Sequence, residues 1–487
     1  MTPSLALVVF SAGVIGLFYL DRDKSVRTSK ALWLAVPWMW INASRSIAAW
    51  LAVTPAKNSR SSDSPLDQFV GAVLIASGII VIAWRNRECR MLLKRGWPIL
   101  VYFSYCLLSA FWSDFPGQGS KRWIRAVGDL VMVMVVATDP QPTAALKRFF
   151  SRVGFLLLPA SILMLKYYPD LSHGYDQWGL QMNTGVATDK NMLGVGTFVL
   201  TLGAVWQVLR LLKTKDQANR GRHLLAQGTL VCFGISLLFI AHSATSGACF
   251  TLGVIIMIAT SLPMFRRRPA MVHALVVAIL LLGLLTAALG GGGAAAKAMG
   301  RKADLTGRTE VWHLLIPMEP NPILGAGFES FWFGPRLEKI WLVDGGIFHG
   351  INEAHNGYLE VYLNLGFIGV GLIALIFLRG YRNAVDAFRR DPTFGNLPLA
   401  YILTAAIYSI TEAGFRMQDP IWFFLLLSVV ARSAPAVSKP SGTGPQIGGT
   451  PKTTNGRDSL GLKLVGKDGA ASPVGRPVAS AGAGIAK

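Results

Sequence analysis

Charge is scarce in this chain. Only 15% of its 487 residues are charged, against about 25% in soluble domains. Acidic residues are scarcer still: 26 Asp and Glu oppose 47 Lys and Arg, a formal net charge of +21. That leaves too little polar surface for a soluble fold of this length. With 52% hydrophobic residues and a mean hydropathy of +0.44, the chain suits lipid as its solvent. Cysteine is rare too. Cys89, Cys106, Cys232 and Cys249 include no C-x-x-C pair, so neither a disulfide nor a structural zinc is expected. No G-x-x-x-x-G-K-[ST] occurs, which excludes a readable ATP-binding loop. No internal repeat stands out, which counts against an inverted-repeat transporter. The basic excess does not indicate nucleic acid, because most Lys and Arg sit in short loops between apolar runs. Met-Thr-Pro-Ser has no basic region ahead of its apolar run, so a cleavable signal peptide is not expected.

What the chain does have is long apolar runs. A spanning helix needs about 20 mostly apolar residues. Candidate spans are Ser4–Leu20, Ala31–Val53, Phe69–Trp84, Trp97–Trp112, Trp123–Ala137, Phe149–Leu165, Met192–Leu212, Leu224–Ala241, Ala248–Phe265, Met271–Leu289, Tyr358–Leu378, Leu397–Ile410 and Ile421–Ala431. The reading is an all-α, polytopic transmembrane bundle of about 12–13 spans, the last two short enough to be a tightly packed hairpin. Alternate loops are rich in Lys and Arg, as in Arg85 to Arg95 and Arg266 to Arg268, which makes those loops cytoplasmic. That alternation places the start of the chain outside and its end inside. Residues 1–289 then form N-terminal membrane helices, 290–357 one large outer loop, 358–432 C-terminal membrane helices, and 433–487 a disordered basic cytoplasmic tail. The large loop opens with Gly290–Gly293 and carries Lys297, Arg301 and Lys302. Loops this long are commonly functional.

Several stretches on the outer side carry chemistry. In Glu353-Ala-His355-Asn-Gly-Tyr-Leu-Glu360 an imidazole stands where the loop re-enters a helix. A neutral His accepts a proton from a hydroxyl near neutrality, and Glu360 either orients it or faces water. A capping or interfacial His is the competing reading. In Gly307-Arg308-Thr-Glu-Val-Trp312, Arg308 and Trp312 share a face if the segment is helical. A guanidinium fork suits phosphate and an indole face suits a sugar. Asn321 to Phe328 reads as a turn returning the loop to the membrane. Around Ser113-Asp-Phe-Pro lie Lys121, Arg122, Arg125 and Asp129, the last two within an apolar span. Charges there pair, line a cavity, or both. Lys190 sits at an outer helix start, and Ser243 in the polar break His242–Ser246. Asn42, Ser44 and Arg45 interrupt the second span. Asp21-Arg22-Asp23 has the acidic spacing of metal-dependent sugar transferases, but it lies in a basic inner loop and is discounted.

At the His355 stretch the chain resembles the O-antigen ligase and O-antigen polymerase superfamily, and most closely its rhizobial exopolysaccharide polymerase-like branch. The resemblance covers about Ala31 to Arg432. It rests on Ser113-Asp114-Phe115-Pro116 with Lys121-Arg122-Trp123, on Asp189-Lys190-Asn191-Met192-Leu193-Gly194, on Gly307-Arg308 with Trp312, on Pro322 to Phe328, and on His355 to Glu360. It implies metal-independent, cofactor-free glycan transfer at the periplasmic face of a bacterial inner membrane. The donor would be an oligosaccharide on undecaprenyl diphosphate. His355 matches the family's loop histidine that assists acceptor activation, and Arg308 a loop arginine that engages the diphosphate. Lys190, Arg122 and Arg125 are the further phosphate-binding candidates; Glu360, Asp129, Trp312 and Ser243 are supporting ones. Where relatives often carry a basic residue in the Ser-x-Thr turn, this chain has Ala244. Partners implied are the lipid-linked glycan, a glycan acceptor, the bilayer, and other polysaccharide export proteins. A ligase acting on lipid A core or a protein is the alternative within the class, and a lipid-linked glycan flippase the alternative outside it.

Overall fold

The computed structural model describes residues 2–51, 64–175, 181–214, 219–268, 270–288, 306–343 and 350–432. The sequence features at Gly290–Gly293, Lys297, Arg301 and Lys302, and the tail after Arg432, lie outside the described residues. In chain order the helices are α1 (Pro3–Leu20), α2 (Leu32–Ala43), α3 (Ile47–Trp50), α4 (Pro65–Trp84), α5 (Asn86–Arg95), α6 (Trp97–Leu108), α7 (Pro116–Ala137) and α8 (Pro142–Tyr167). They continue with α9 (Pro169–Ser172), α10 (Lys190–Lys213), α11 (Arg220–Ala241), α12 (Ala244–Ser261), α13 (Pro263–Arg267) and α14 (Ala270–Ala288). The last are α15 (Thr306–Leu315), α16 (Gly334–Leu342), α17 (Gly357–Arg390), α18 (Pro392–Thr411) and α19 (Pro420–Val430). Two three-residue strands, β1 (His173–Tyr175) and β2 (Gln181–Asn183), pair antiparallel with His173 opposite Asn183. The sequence reading had no place for this small hairpin, which is too short to carry a strand periodicity.

Among the described residues, eight helices are long and apolar enough to cross a bilayer: α1, α4, α8, α10, α11, α12, α17 and α18. The bundle is all-α and polytopic. Its outer wall is apolar, as a lipid-facing surface must be. The apolar windows of α1 and α4 are only 17% and 11% buried, leaving Val8, Ile15, Phe69 and Ile80 exposed. α10 is 83% buried at the centre, against α8, α11 and α12. Every residue of α19 is buried, so this short helix is a core element that need not match the bilayer's thickness. The second expected span is broken. α2 stops at Ala43, Ser44 is extended, and α3 restarts after Ser46, whose hydroxyl accepts from Ala49 N. The buried Arg45 guanidinium fills the break, donating to the carbonyls of Leu171 and Gly185.

α17 is also broken. At Gly366 the backbone leaves helical geometry with φ 61°. Unpaired peptide groups in a membrane helix must find partners inside the protein. Here the 322–327 segment supplies them. Ala326 N donates to Leu363 O at 3.0 Å and Gly327 N to Asn364 O at 2.8 Å, while Phe367 N donates to Pro322 O at 2.8 Å. The Asn321 to Phe328 turn therefore does more than return the chain to the membrane. Gly325 (φ 75°) lets the two backbones touch, since a Cβ there would lie 2.3 Å from Leu365 N.

Contacts between connections sort them to the two ends of the bundle. At one end His223 pairs with Asp21, Arg85 reaches Thr138, and Arg95 reaches Asn383. At the other, Thr245 meets Thr411, Asn191 meets Glu412, and Arg122 meets Glu329. Each group consists of loops that the charge alternation assigned to one side.

Candidate active site

The second end gathers residues distant in sequence, and local signals fix how each arrives. Asn356 caps α17, accepting from Tyr358 N and Leu359 N at 3.0 Å. Asp189 caps α10 in the same way through Asn191 N and Met192 N. Asp419 caps α19, with Pro420 at its first position. Three non-glycine residues in the converging loops take left-handed backbone: His355 (φ 48°), Glu329 (φ 52°) and Gln418 (φ 61°). Backbone strain of this kind gathers at functional sites.

The peptide at Ala354 is held from both sides. Its N–H donates to Glu360 Oε2 at 2.9 Å, and its carbonyl accepts from Trp312 Nε1 at 2.8 Å. Glu360, itself buried, also accepts from Trp332 Nε1 at 2.6 Å. Glu360 and Trp312 therefore act on the turn carrying Glu353 and His355 through its backbone. On the neighbouring loop, Gln418 N donates to buried Asp129 Oδ2 at 2.8 Å. Asp129 also accepts from Trp38 Nε1 and Asn42 Nδ2, both at 2.8 Å, and so ties the α18–α19 loop to α2.

These two loops and α15 bring opposite charges into an alternating chain. Arg308, on helical α15 as its spacing with Trp312 required, pairs with Glu412 at 3.0 Å and donates to Thr411 O. Glu412 lies 3.5 Å from His355 Nδ1 and accepts from Asn191 Nδ2 at 3.2 Å. His355 Nδ1 is 2.9 Å from Glu353 Oε1, and Glu353 pairs with Arg416 at 3.3 Å. Arg416 continues to Glu329 at 3.6 Å, and Glu329 to Arg122 at 3.4 Å. Burial alone would lower the His355 pKa, but Glu353 and Glu412 overcome it and raise it to about 10. The resting ring is thus an imidazolium, whereas the sequence reading expected a neutral base.

Beside this chain lies a cavity of about 330 Å³. Glu353, Glu412 and Arg416 line one part, Lys121 and Arg125 another, and Ile41, Ile47, Gly71, Ala72, Ile75 and Ile124 give it an apolar wall. The α10 start contributes Thr188, Asn191 and Met192 rather than Lys190. Arg122 turns to Glu329, with its guanidinium 4.3 Å over the Phe333 ring. Ser243 bonds Ser246 at 3.0 Å and packs against α10 at Gly194. Glu412, Arg416 and Glu329 were not singled out from sequence. The signal lay in three charges, Glu412, Arg416 and Asp419, inside a ten-residue stretch between two apolar runs.

Ligand atoms of Glu353, His355 and Glu412 lie within 4.8 Å of one another, a donor set that suits a divalent cation in principle. In this arrangement each carboxylate is also paired to an arginine, so a cation there would compete with Arg308 and Arg416. The cluster is its own set of counter-ions.

Residues 231–374, from α11 into α17, match the profile of the family described as O-antigen ligase. Over that segment the chain is similar to the O-antigen ligase family, which supports the resemblance to the O-antigen ligase and polymerase superfamily. The match supports an activity of the membrane-bound ligase/polymerase type. The matched segment holds Arg308, Trp312, Glu329, Glu353, His355 and Glu360; Glu412 and Arg416 come from beyond it. A comparison with curated proteins finds no match.

Proposed function

We propose that the protein polymerises exopolysaccharide or O-antigen repeat units, taking them from undecaprenyl diphosphate at the periplasmic face of the bacterial inner membrane. The observation carrying this reading is the charge chain from Arg308 to Arg416, set beside a cavity with an apolar wall. A lipid diphosphate has one part for each. The resemblance to rhizobial exopolysaccharide polymerases favours polymerisation. The matching family's description names a ligase and supports a second reading, transfer of finished glycan to lipid A core or a protein.

The diphosphate is already a good leaving group. Transfer then needs cations for its developing charge and a proton acceptor for the attacking hydroxyl. Arg308 and Arg416 are the proposed cations, supported by Lys121 and Arg125 on the cavity wall; Arg122 and Lys190 stand further back. In drawing Arg308 from Glu412 and Arg416 from Glu353, the diphosphate deprives each carboxylate of a cation and raises its basicity. One carboxylate takes the hydroxyl proton as the new C–O bond forms. The old bond to phosphate breaks, and the carrier departs with the electron pair. His355, as imidazolium, holds the carboxylates in place. The base thus appears only once donor is bound, and the scheme uses no metal.

Gene deletion followed by glycan analysis tests this. Loss of long polysaccharide with single repeat units retained supports the polymerase. Full-length chains stranded on the carrier support the ligase. Unchanged polysaccharide overturns both.

A further inference from the structure

Two buried acceptor atoms on the cavity wall have no hydrogen-bond partner among the described residues. Asn42 is 4% exposed, and its Nδ2 donates to Asp129. Asp129 receives only donors, from Trp38, Asn42 and the Gln418 backbone. The Asn42 amide is therefore fixed with its nitrogen toward Asp129, which leaves Oδ1 unpartnered. Asp67, in the first turn of α4, accepts from Ala48 N with Oδ1 at 3.1 Å, while its buried Oδ2 has no partner. Both residues line the cavity.

A buried acceptor left unpaired costs about 1–3 kcal/mol, so a ligand that donates is favoured there. Neither part of a lipid diphosphate can do this. Phosphate oxygens only accept, and Asp67 repels them; a prenyl chain offers no hydrogen bond. Sugar hydroxyls do donate. We infer that Asn42 and Asp67 form a glycosyl subsite within the cavity, their Oδ1 and Oδ2 atoms accepting hydroxyl groups of the donor's first sugars, while the apolar side chains of the wall remain for the prenyl chain. The diphosphate then lies toward Lys121, Arg125 and Arg416 on other walls of the same cavity. This rests on the lipid-linked glycan reading and adds which residues select the sugar.

The test is binding to the full chain in nanodiscs, read by native mass spectrometry. One probe is undecaprenyl diphosphate; the other is lipid-linked glycan extracted from cells deleted for the gene. The wild type is expected to prefer the glycosylated carrier. Asp67→Asn keeps an oxygen for Ala48 N and turns an NH2 group into the cavity. It should lose about tenfold to a hundredfold of that preference while binding bare carrier as before. Asn42→Ala should also lose the preference, but it removes a donor to Asp129 and so should weaken binding of bare carrier too; Asp67→Asn, being isosteric, guards against a folding failure. Full preference in both variants, or equal wild-type binding of the two probes, overturns the subsite but not the carrier reading. Wild-type binding of neither probe overturns the carrier reading itself.

Discussion

Replacing Glu412 with Gln tests the charge chain where it is most connected. Glu412 is buried and contacts Arg308 at 3.0 Å, Asn191 at 3.2 Å and His355 at 3.5 Å. Gln keeps the volume and removes the charge. With the His355 pKa at about 10, roughly one ring in a thousand is neutral at pH 7. Losing one of two carboxylates within 4 Å should lower that value and raise the neutral fraction about tenfold or more. Diethyl pyrocarbonate reads this directly, because it modifies neutral imidazole and the His355 side chain is 36% exposed. Peptide mass spectrometry across pH should show wild-type His355 unreactive near neutrality and reactive only toward pH 10. Glu412→Gln should move that rise to lower pH. A wild-type ring that reacts at pH 7 like a free histidine refutes the imidazolium. So does a variant whose profile is unchanged.

Arg308→Ala should lower transfer more than Arg308→Lys at matched expression, because the guanidinium fork adds geometry to charge; equal activity of Ala and wild type removes Arg308 from the site. Raising the His355 pKa from its ordinary 6.5 to about 10 stabilises the fold below pH 6.5, and that contribution is lost as pH rises through about 10. The wild-type Tm should therefore fall more between pH 7 and 10 than that of His355→Gln, and parallel curves would show that the ion pairs add nothing. Gly325→Ala drives a Cβ to within 2.5 Å of the Leu365 and Asn364 backbone at positive φ, so it should cost about 3 kcal/mol or more, read as a lowered Tm in detergent; an unchanged Tm would show that the 322–327 segment does not brace α17.

The bundle was legible because its signal is composition. Apolar runs and alternating basic loops need no tertiary information to read. Arg308, Trp312, His355 and Glu360 were legible as chemistry at the end of a long loop, but their partners were not. Arg308 and Glu412 are separated by 104 residues, and sequence spacing carries nothing about that contact. The charge state of His355 was hidden for the same reason, since one of its two carboxylates is Glu412. From sequence, Glu360 was read as orienting His355 or facing water, and Asp129 as pairing or lining a cavity. They instead hold the backbone at Ala354 and Gln418, a role that only the folded loops reveal. The break in α17 was masked because its residues stay apolar, and only the positive φ of Gly366 marks it. The α2 break had a visible signal in Asn42, Ser44 and Arg45, yet the apolar residues on both sides outweighed it.

The most direct measurement of the central claim is elongation by the purified chain. Protein in nanodiscs would be supplied with lipid-linked repeat unit from the deletion strain, with no metal added and a chelator present. Products would be sized by gel and mass spectrometry. Carrier-linked chains growing by whole repeat units in the wild type, and not in Arg308→Ala or Glu412→Gln, are the expected result. Repeat units recovered unchanged from folded protein would contradict polymerisation, and the same outcome with lipid A core or protein added as acceptor would contradict glycan transfer altogether.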